Sequence, residues 1–488
     1  MKTQQGDVQG VSESRVLVFK GIPFAAPPVG ELRWREPQPA AAWQGVRKAD
    51  AYGHACTQVP GLSEANGGPP GSLSEDCLYL NVWTPKADAN AKLPVMVWIH
   101  GGAYVFGSGA VPLYSGAPLA SKGAVIVTIN YRLAQLGFFA HPALEKESPG
   151  GPANFGLFDQ IAALKWVQQN IGAFGGDPGN VTIFGQSAGG KSVLGLYASP
   201  LARGLFHKGI ASSSYVVPDA PRAKALEVGA KVAVALGLEG ADATAAQLRA
   251  VPAEKFTEIR GQGLSNAPVP ISGDSVLPQF IQATFAAAKQ ARLPLIFGNT
   301  SDDTSVVAAF GFDAVAVFKR LGAAGFLVRA LYPGAKDDTD LARQATRDLV
   351  FTMPVRWLAD RHAKHAPTWR YYFDYTAVKL RKKFSNGVPH GSEIAYFMNT
   401  VDVHEGTKDI LTAEDRAFAR RTSDYVFEFA RTGKPAASDS PSWSNHRIRD
   451  DKTLILGETI TELPNFMRAR MNIFLAVSRV LDRVLGRR

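Results

Sequence analysis

An α/β fold built around a central, mostly parallel sheet flanked by helices is what this sequence predicts. Three observations carry that expectation. Residues 95–99 and 124–129 are short, apolar, β-branched runs, the composition of strands covered on both faces. Residues 158–171 repeat their apolar positions at helical spacing before another apolar run at 181–184. That run leads into Gly185-Gln186-Ser187-Ala188-Gly189-Gly190, where a strand turns abruptly into a helix. Strand, helix, strand and turn in this order over 95–200 call for parallel strands joined by crossover helices.

In chain order, residues 16–19 and 78–83 read as strands separated by turn-rich segments. The runs 95–99 and 124–129 are central strands. In 158–171, Ile161, Leu164, Trp166 and Val167 line one buried face. Residues 191–197 open a helix after the glycine-rich turn, and 209–213 form a short strand. An alanine-rich stretch, 221–249, is helical. Further strands are expected at 295–298, 369–375 and 453–457, and a long amphipathic helix at 413–431. The apolar-striped helix at 475–485 is expected to dock on the protein's own core. With no internal repeat and no long charged linker, a single domain over 1–488 is expected, with helical insertions at approximately 221–290 and 305–365.

The 488 residues are 46% apolar and 20% charged, enough to bury a large core and to exclude a mainly disordered chain. The net charge of +10 comes from scattered basic residues without zinc-finger spacing or a repeated basic–aromatic module. It reads as a diffuse field that attracts acidic solutes, and no nucleic-acid partner is expected. No apolar run reaches membrane-spanning length, so no stable membrane insertion is expected. Residues 1–8 are polar and do not read as a signal peptide. The two cysteines, Cys56 and Cys77, bracket a Gly/Pro/Ser-rich loop at 61–73. A crosslink there would stabilise by roughly 2–4 kcal/mol; two free, buried thiols are the alternative.

The chemistry centres on Ser187. Glycines at 185 and 189 allow a turn in which any bulkier side chain collides with the backbone, and the serine Oγ then projects above the sheet near a helix N-terminus. A Ser/Gly-rich loop without chemistry is the plain alternative. A serine hydroxyl needs a base for its proton and donors for the oxyanion. His100-Gly101-Gly102-Ala103, directly after the 95–99 strand, supplies donors: the N–H groups of Gly101 and Gly102, joined by that of Ala188. His100 itself reads as structural, its ring holding the glycine loop. Among nine histidines, His390 stands out, in a turn between polar 382–387 and apolar 394–398. His362 and His365 have no carboxylate to complete a metal set and read as surface or packing residues. His54, His141, His207, His404 and His446 have no comparable context. The orienting acid belongs between nucleophile and base, after the 295–298 strand, where Asp302 and Asp303 both qualify. The other of the two is placed to cap a helix beginning near Thr304.

The chain also resembles the type-B carboxylesterases, the α/β-hydrolase family that includes the cholinesterases. Residues 19–28 (FKGIPFAAPP), 74–82 (SEDCLYLNV), 130–133 (NYRL) and 173–178 (AFGGDP) match the family's motifs in order. The resemblance implies an α/β-hydrolase fold, nucleophile Ser187, base His390 and oxyanion donors Gly101, Gly102 and Ala188. The family usually has Asp-Glu-Gly where this chain has Asp302-Asp303-Thr304, so the acid becomes Asp303. Being one methylene shorter than glutamate, it requires a closer backbone or a longer hydrogen bond. Cys56 and Cys77 match the family's first disulfide, which implies a periplasmic or secreted setting if oxidised and a cytoplasmic one otherwise. The implied activity is two-step acyl transfer on a small-molecule ester, with no metal or organic cofactor, by a monomer or homodimer. A lipase, amidase or lactonase, or a non-catalytic binding homologue, are the alternatives. Gln186 stands where the family commonly has glutamate. Either it removes a repulsion toward esters bearing a free carboxylate, such as a polycarboxylic ester of a natural product or toxin, or it only preserves a buried network.

Overall fold

In the computed structural model, which describes residues 1–13, 15–215, 219–259, 269–310, 315–316, 328–403 and 408–484, the main sheet has eleven strands. In chain order they are β1 (Val11–Glu13), β2 (Val16–Pro23), β3 (Tyr79–Thr84), β4 (Leu93–Ile99), β5 (Val125–Ile129), β6 (Gly176–Gln186), β7 (Lys208–Ser212), β8 (Leu295–Thr300), β9 (Thr368–Phe373), β10 (Thr453–Leu456) and β11 (Ile460–Leu463). Their spatial order is β11-β10-β9-β8-β7-β6-β4-β5-β3-β2-β1. From β5 across to β10 every neighbouring pair is parallel; β1, β2, β3 and β11 join the edges antiparallel.

The two faces follow from strand periodicity. In β4, Val95, Val97 and Ile99 pack in one apolar cluster with α1 (Phe155–Asn170) and α2 (Ala188–Ala198). Met96 and Trp98 pack on the other face, in the cluster holding Phe418, Val426 and Phe429 of α5 (Ala413–Thr432), with α3 (Arg222–Ala235) and α4 (Met353–His362) intervening in the chain. The parallel strands end on one edge, and the loops leaving β4, β6, β8 and β9 carry the residues singled out above.

Several expectations shift. Helix α1 is not one-sided: Ile161, Leu164, Trp166 and Val167 are buried with most of its remaining surface, and only Lys165 and Gln169 are exposed. The helical stretch at 221–249 divides into Arg222–Ala235, a turn at Gly240–Asp242 and Ala245–Ala250. Gly237, at φ 80°, supplies the left-handed residue that ends the first part. The short edge strands β1 and β11 carry too little apolar pattern to be read from sequence. The C-terminal helix α6 begins earlier, spanning Arg468–Val484, and its first turns place Met471 and Phe474 against Tyr332 and Leu341; the side chains of 477–484 and all of residue 485, most of the stretch expected to dock, lie outside the described residues. The insertions contain Arg222–Ala235, Ala245–Ala250 and Ile281–Ala286, then Asp338–Arg347 and Met353–His362. Their segments 260–268, 311–314 and 317–327 lie outside the described residues. Cys56 and Cys77 form a disulfide. Among the described residues no helix is long and apolar enough to cross a membrane.

Candidate active site

Strand β6 ends at Gln186 and α2 begins at Ala188, leaving Ser187 alone at the apex with φ 58° and ψ −121°. Such a backbone costs of order 1–3 kcal/mol and persists only when its surroundings enforce it. The Ser187 N–H donates to Ser212 O at 2.9 Å, tying the apex to β7. A Cβ on Gly189 would fall 2.0 Å from Ile99 O, and one on Gly185 2.6 Å from Gly189 C. Both glycines are therefore required by the closeness of β4 to the turn.

The glycine loop after β4 faces the apex: a Cβ on Gly101 would lie 3.2 Å from Ser187 Cβ. Gly102 takes φ +99°, and a Cβ there would meet Phe106 O at 2.1 Å. Among the described residues, the N–H groups of Gly101, Gly102 and Ala188 donate to no protein acceptor, so they remain available to an oxygen above Ser187. His100 is structural, as read: Nδ1–H donates to Gly101 O at 2.8 Å and its ring stacks on Tyr131 at 4.4 Å. Burial pushes its pKa down to about 4, so the ring is neutral.

The two aspartates separate cleanly. Asp303, fully buried, accepts from His390 Nδ1 at 2.6 Å through Oδ1 and from the Thr300 N–H at 2.9 Å through Oδ2. Asp302 instead pairs with Arg343 Nη1 at 3.0 Å and the Thr304 hydroxyl at 2.7 Å. Among the described residues no backbone N–H donates to the Asp302 carboxylate, so it does not cap the helix that follows. The missing methylene is made up by backbone approach: Asp302 bridges Pro389, the Asp302 N–H donates to Val388 O at 2.9 Å, and the His390 N–H donates to Ser305 Oγ at 2.8 Å. The histidine loop is thereby stitched directly to the acid loop, and the hydrogen bond stays short.

With Nδ1–H given to Asp303, His390 Nε2 is an acceptor. In this structure it receives the Gln186 side-chain amide at 3.1 Å, and among the described residues no hydrogen bond joins it to Ser187 Oγ. Gln186 is buried, 4% exposed, and lies against the His390 imidazole. Sequence reasoning missed Glu393. Three residues past His390 and first in the helix Glu393–Phe397, it reads as an ordinary solvent-facing N-terminal charge. Instead it is fully buried and accepts from Ser213 Oγ at 3.1 Å, and among the described residues its Oε2 has no partner. Burial first, and then the neighbouring Asp303 carboxylate, push it up to about 7.

His362 is a core residue, hydrogen-bonded to Leu293 O at 2.8 Å and pushed down to about 4 by burial. His404 lies outside the described residues. Asp360, His446 and Asp451 lie close enough to share an ion, but Asp451 is already paired with Arg356 and Arg370, so its charge is satisfied within the protein.

A serine at a strained strand-to-helix turn, at the carboxyl edge of a mostly parallel sheet and beside a buried Asp–His pair, defines an α/β-hydrolase. The carboxylesterase family model matches residues 1–324 and 333–473, and the chain belongs to that family of carboxylic ester hydrolases. It is 37% identical over 472 residues to the fumonisin B1 esterase of Sphingopyxis macrogoltabida, covering 92% of this chain and 85% of that protein. It is 35% identical over 486 residues to the para-nitrobenzyl esterase of Bacillus subtilis (strain 168), covering 94% and 95%. A solved PNB esterase structure superposes with TM-score 0.82 at 32% identity, covering 97% of this chain and 99% of that one.

Proposed function

We propose that the protein hydrolyses small-molecule carboxylic esters through an acyl-enzyme on Ser187, with His390 as base and Asp303 as its orienting acid. The observation that carries this reading is the 2.6 Å bond from His390 Nδ1 to fully buried Asp303, which leaves Nε2 able to accept the Ser187 proton. For that transfer the imidazole must exchange its Gln186 partner for Ser187 Oγ, an adjustment of the kind expected between a resting and a substrate-bound site. The serine attacks the ester carbonyl; the N–H groups of Gly101, Gly102 and Ala188 receive the oxyanion; His390 returns the proton to the departing alkoxide. Water, deprotonated by His390, then releases the acid. One catalytic domain over 1–488 is supported by the eleven-stranded sheet, whose strands are drawn from Val11 to Leu463. The Cys56–Cys77 bond favours a periplasmic or secreted setting.

The finer reading is tolerance of esters bearing a free carboxylate. Gln186 supports it through its position: a glutamate there would set a negative charge beside the base, and the amide does not. A relative named fumonisin B1 esterase makes fumonisin B1 a substrate to try. The test of the mechanism is labelling by a fluorophosphonate. Mass spectrometry should find the adduct on Ser187, and Ser187→Ala should lose both label and ester hydrolysis. Label on another serine, or hydrolysis retained by Ser187→Ala, refutes the mechanism.

A further inference from the structure

We propose that Gln58 is a positioning residue for the oxyanion loop, anchoring it to the Cys56–Cys77 disulfide; the inference rests on the reading of Gly101 and Gly102 as oxyanion donors. Gln58 is 2% exposed and 43 positions before the nearer of those glycines, so nothing local links them. Its side-chain amide grips one residue of the loop through both of that residue's backbone polar groups. Oε1 accepts the Gly107 N–H at 2.9 Å and Nε2 donates to Gly107 O at 3.0 Å. The same Nε2 donates to Cys56 O at 2.9 Å, so the grip is referred to the backbone of a disulfide half-cystine.

Gly107 sits where its position matters. A Cβ on it would lie 2.4 Å from His100 Nδ1 and 2.9 Å from Gly101 O. Its backbone therefore covers the hydrogen bond from His100 Nδ1–H to Gly101 O. That carbonyl belongs to the same rigid peptide plane as the Gly102 N–H, so whatever holds Gly101 O aims the Gly102 donor. The line of force runs from Cys56 through Gln58 and Gly107 to His100 and the Gly101–Gly102 peptide. A second amide repeats the arrangement from the other cysteine. Asn130 Nδ2 donates to Cys77 O at 3.1 Å, and its Oδ1 accepts the Gly109 N–H at 2.8 Å. Both ends of the disulfide thus hold the segment that returns from the oxyanion glycines. The role of Gln58 is preorganisation: donors must already point at the developing charge when the tetrahedral intermediate forms.

The experiment compares the full chain with Gln58→Met, which keeps the volume and removes all three hydrogen bonds, on a p-nitrophenyl ester. Removing an oxyanion donor costs about 10²–10³ in kcat; a donor misaimed rather than removed should cost about 10–100-fold. The expected result is that loss in kcat with KM within about twofold, and an equal loss of affinity for a trifluoromethyl ketone, whose serine adduct carries the oxyanion. The Cys56→Ser/Cys77→Ser variant should show the same pattern more weakly. Unchanged kcat and unchanged ketone affinity in folded Gln58→Met overturn the proposal, as does a loss borne by KM. If Gln58→Met does not fold, Gln58→Glu decides by the same criteria, since it keeps an acceptor for the Gly107 N–H and loses both donations. Ser187→Ala is run in parallel. If it stays active, the reading of the site has failed. If it is inactive while folded Gln58→Met is fully active, only the role of Gln58 has failed.

Discussion

Glu393 offers a test of the buried electrostatics around the Asp303–His390 pair. Its carboxyl rises from an ordinary 4.5 to about 7 because burial and the Asp303 carboxylate both disfavour its charge. A carboxyl raised in the folded state is protonated there while the unfolded chain has already lost its proton. Its contribution to stability is therefore fully present below about pH 4.5 and is lost as pH rises through about 7. At 1.36 kcal/mol per unit the full loss is about 3 kcal/mol. Glu393→Gln is neutral at every pH and its carbonyl can still accept from Ser213 Oγ. Relative to wild type, the variant should gain about 3 kcal/mol between about pH 4.5 and about pH 8. For a chain of this length the unfolding entropy is about 1 kcal/mol/K, so the gain is about 3 °C in Tm. The assay is Tm of both proteins at one scan rate in a pH series, read as the difference, so that other titrating groups cancel. A difference that does not vary with pH would mean that Glu393 is ionised throughout and that its site is wetter than the structure shows.

Three further outcomes are expected. Asp303→Asn should fold and lose ester hydrolysis by up to about 10⁴-fold, because an amide holds the imidazole in the wrong tautomer. Asp302→Asn, which weakens only the pairing with Arg343 and Thr304, should lose far less, and the reverse order of effects would transfer the role of acid to Asp302. Gln186→Glu should lower kcat/KM selectively for a carboxylate-bearing ester against its matched neutral ester at low salt; equal losses would show that Gln186 serves the elbow and the histidine alone. Thiol titration of denatured, unreduced protein should find no free cysteine, and a finding of two would remove the support for an oxidising compartment.

Much of the site was legible because its chemistry lies in contiguous motifs. The glycines at 185 and 189 announce the turn at Ser187, and His100-Gly101-Gly102 announces the tight loop that faces it, since both depend on backbone shape that only glycine tolerates. The rest was hidden for a shared reason. Asp302 and Asp303 have the same chemistry one position apart, and what separates them is the stitching of 301–305 to 388–390 across more than eighty residues of chain. Gln58 shows no sign of its role because its partners are Cys56 and Gly107, the second far along the chain.

The parallel sheet and the serine turn follow from residue pattern alone. Apolar β-branched runs must be covered on both faces, and glycine alone fits where β4 crowds the elbow. It took tertiary contact to show that Asp303, which the family resemblance already implied, holds His390, that Gln186 faces the same imidazole, and that Glu393 is buried beside the pair with a raised pKa. Those properties come from how much water is excluded and which distant groups are brought within hydrogen-bond range. Neither quantity exists until the loops at the carboxyl edge of the sheet have closed on one another.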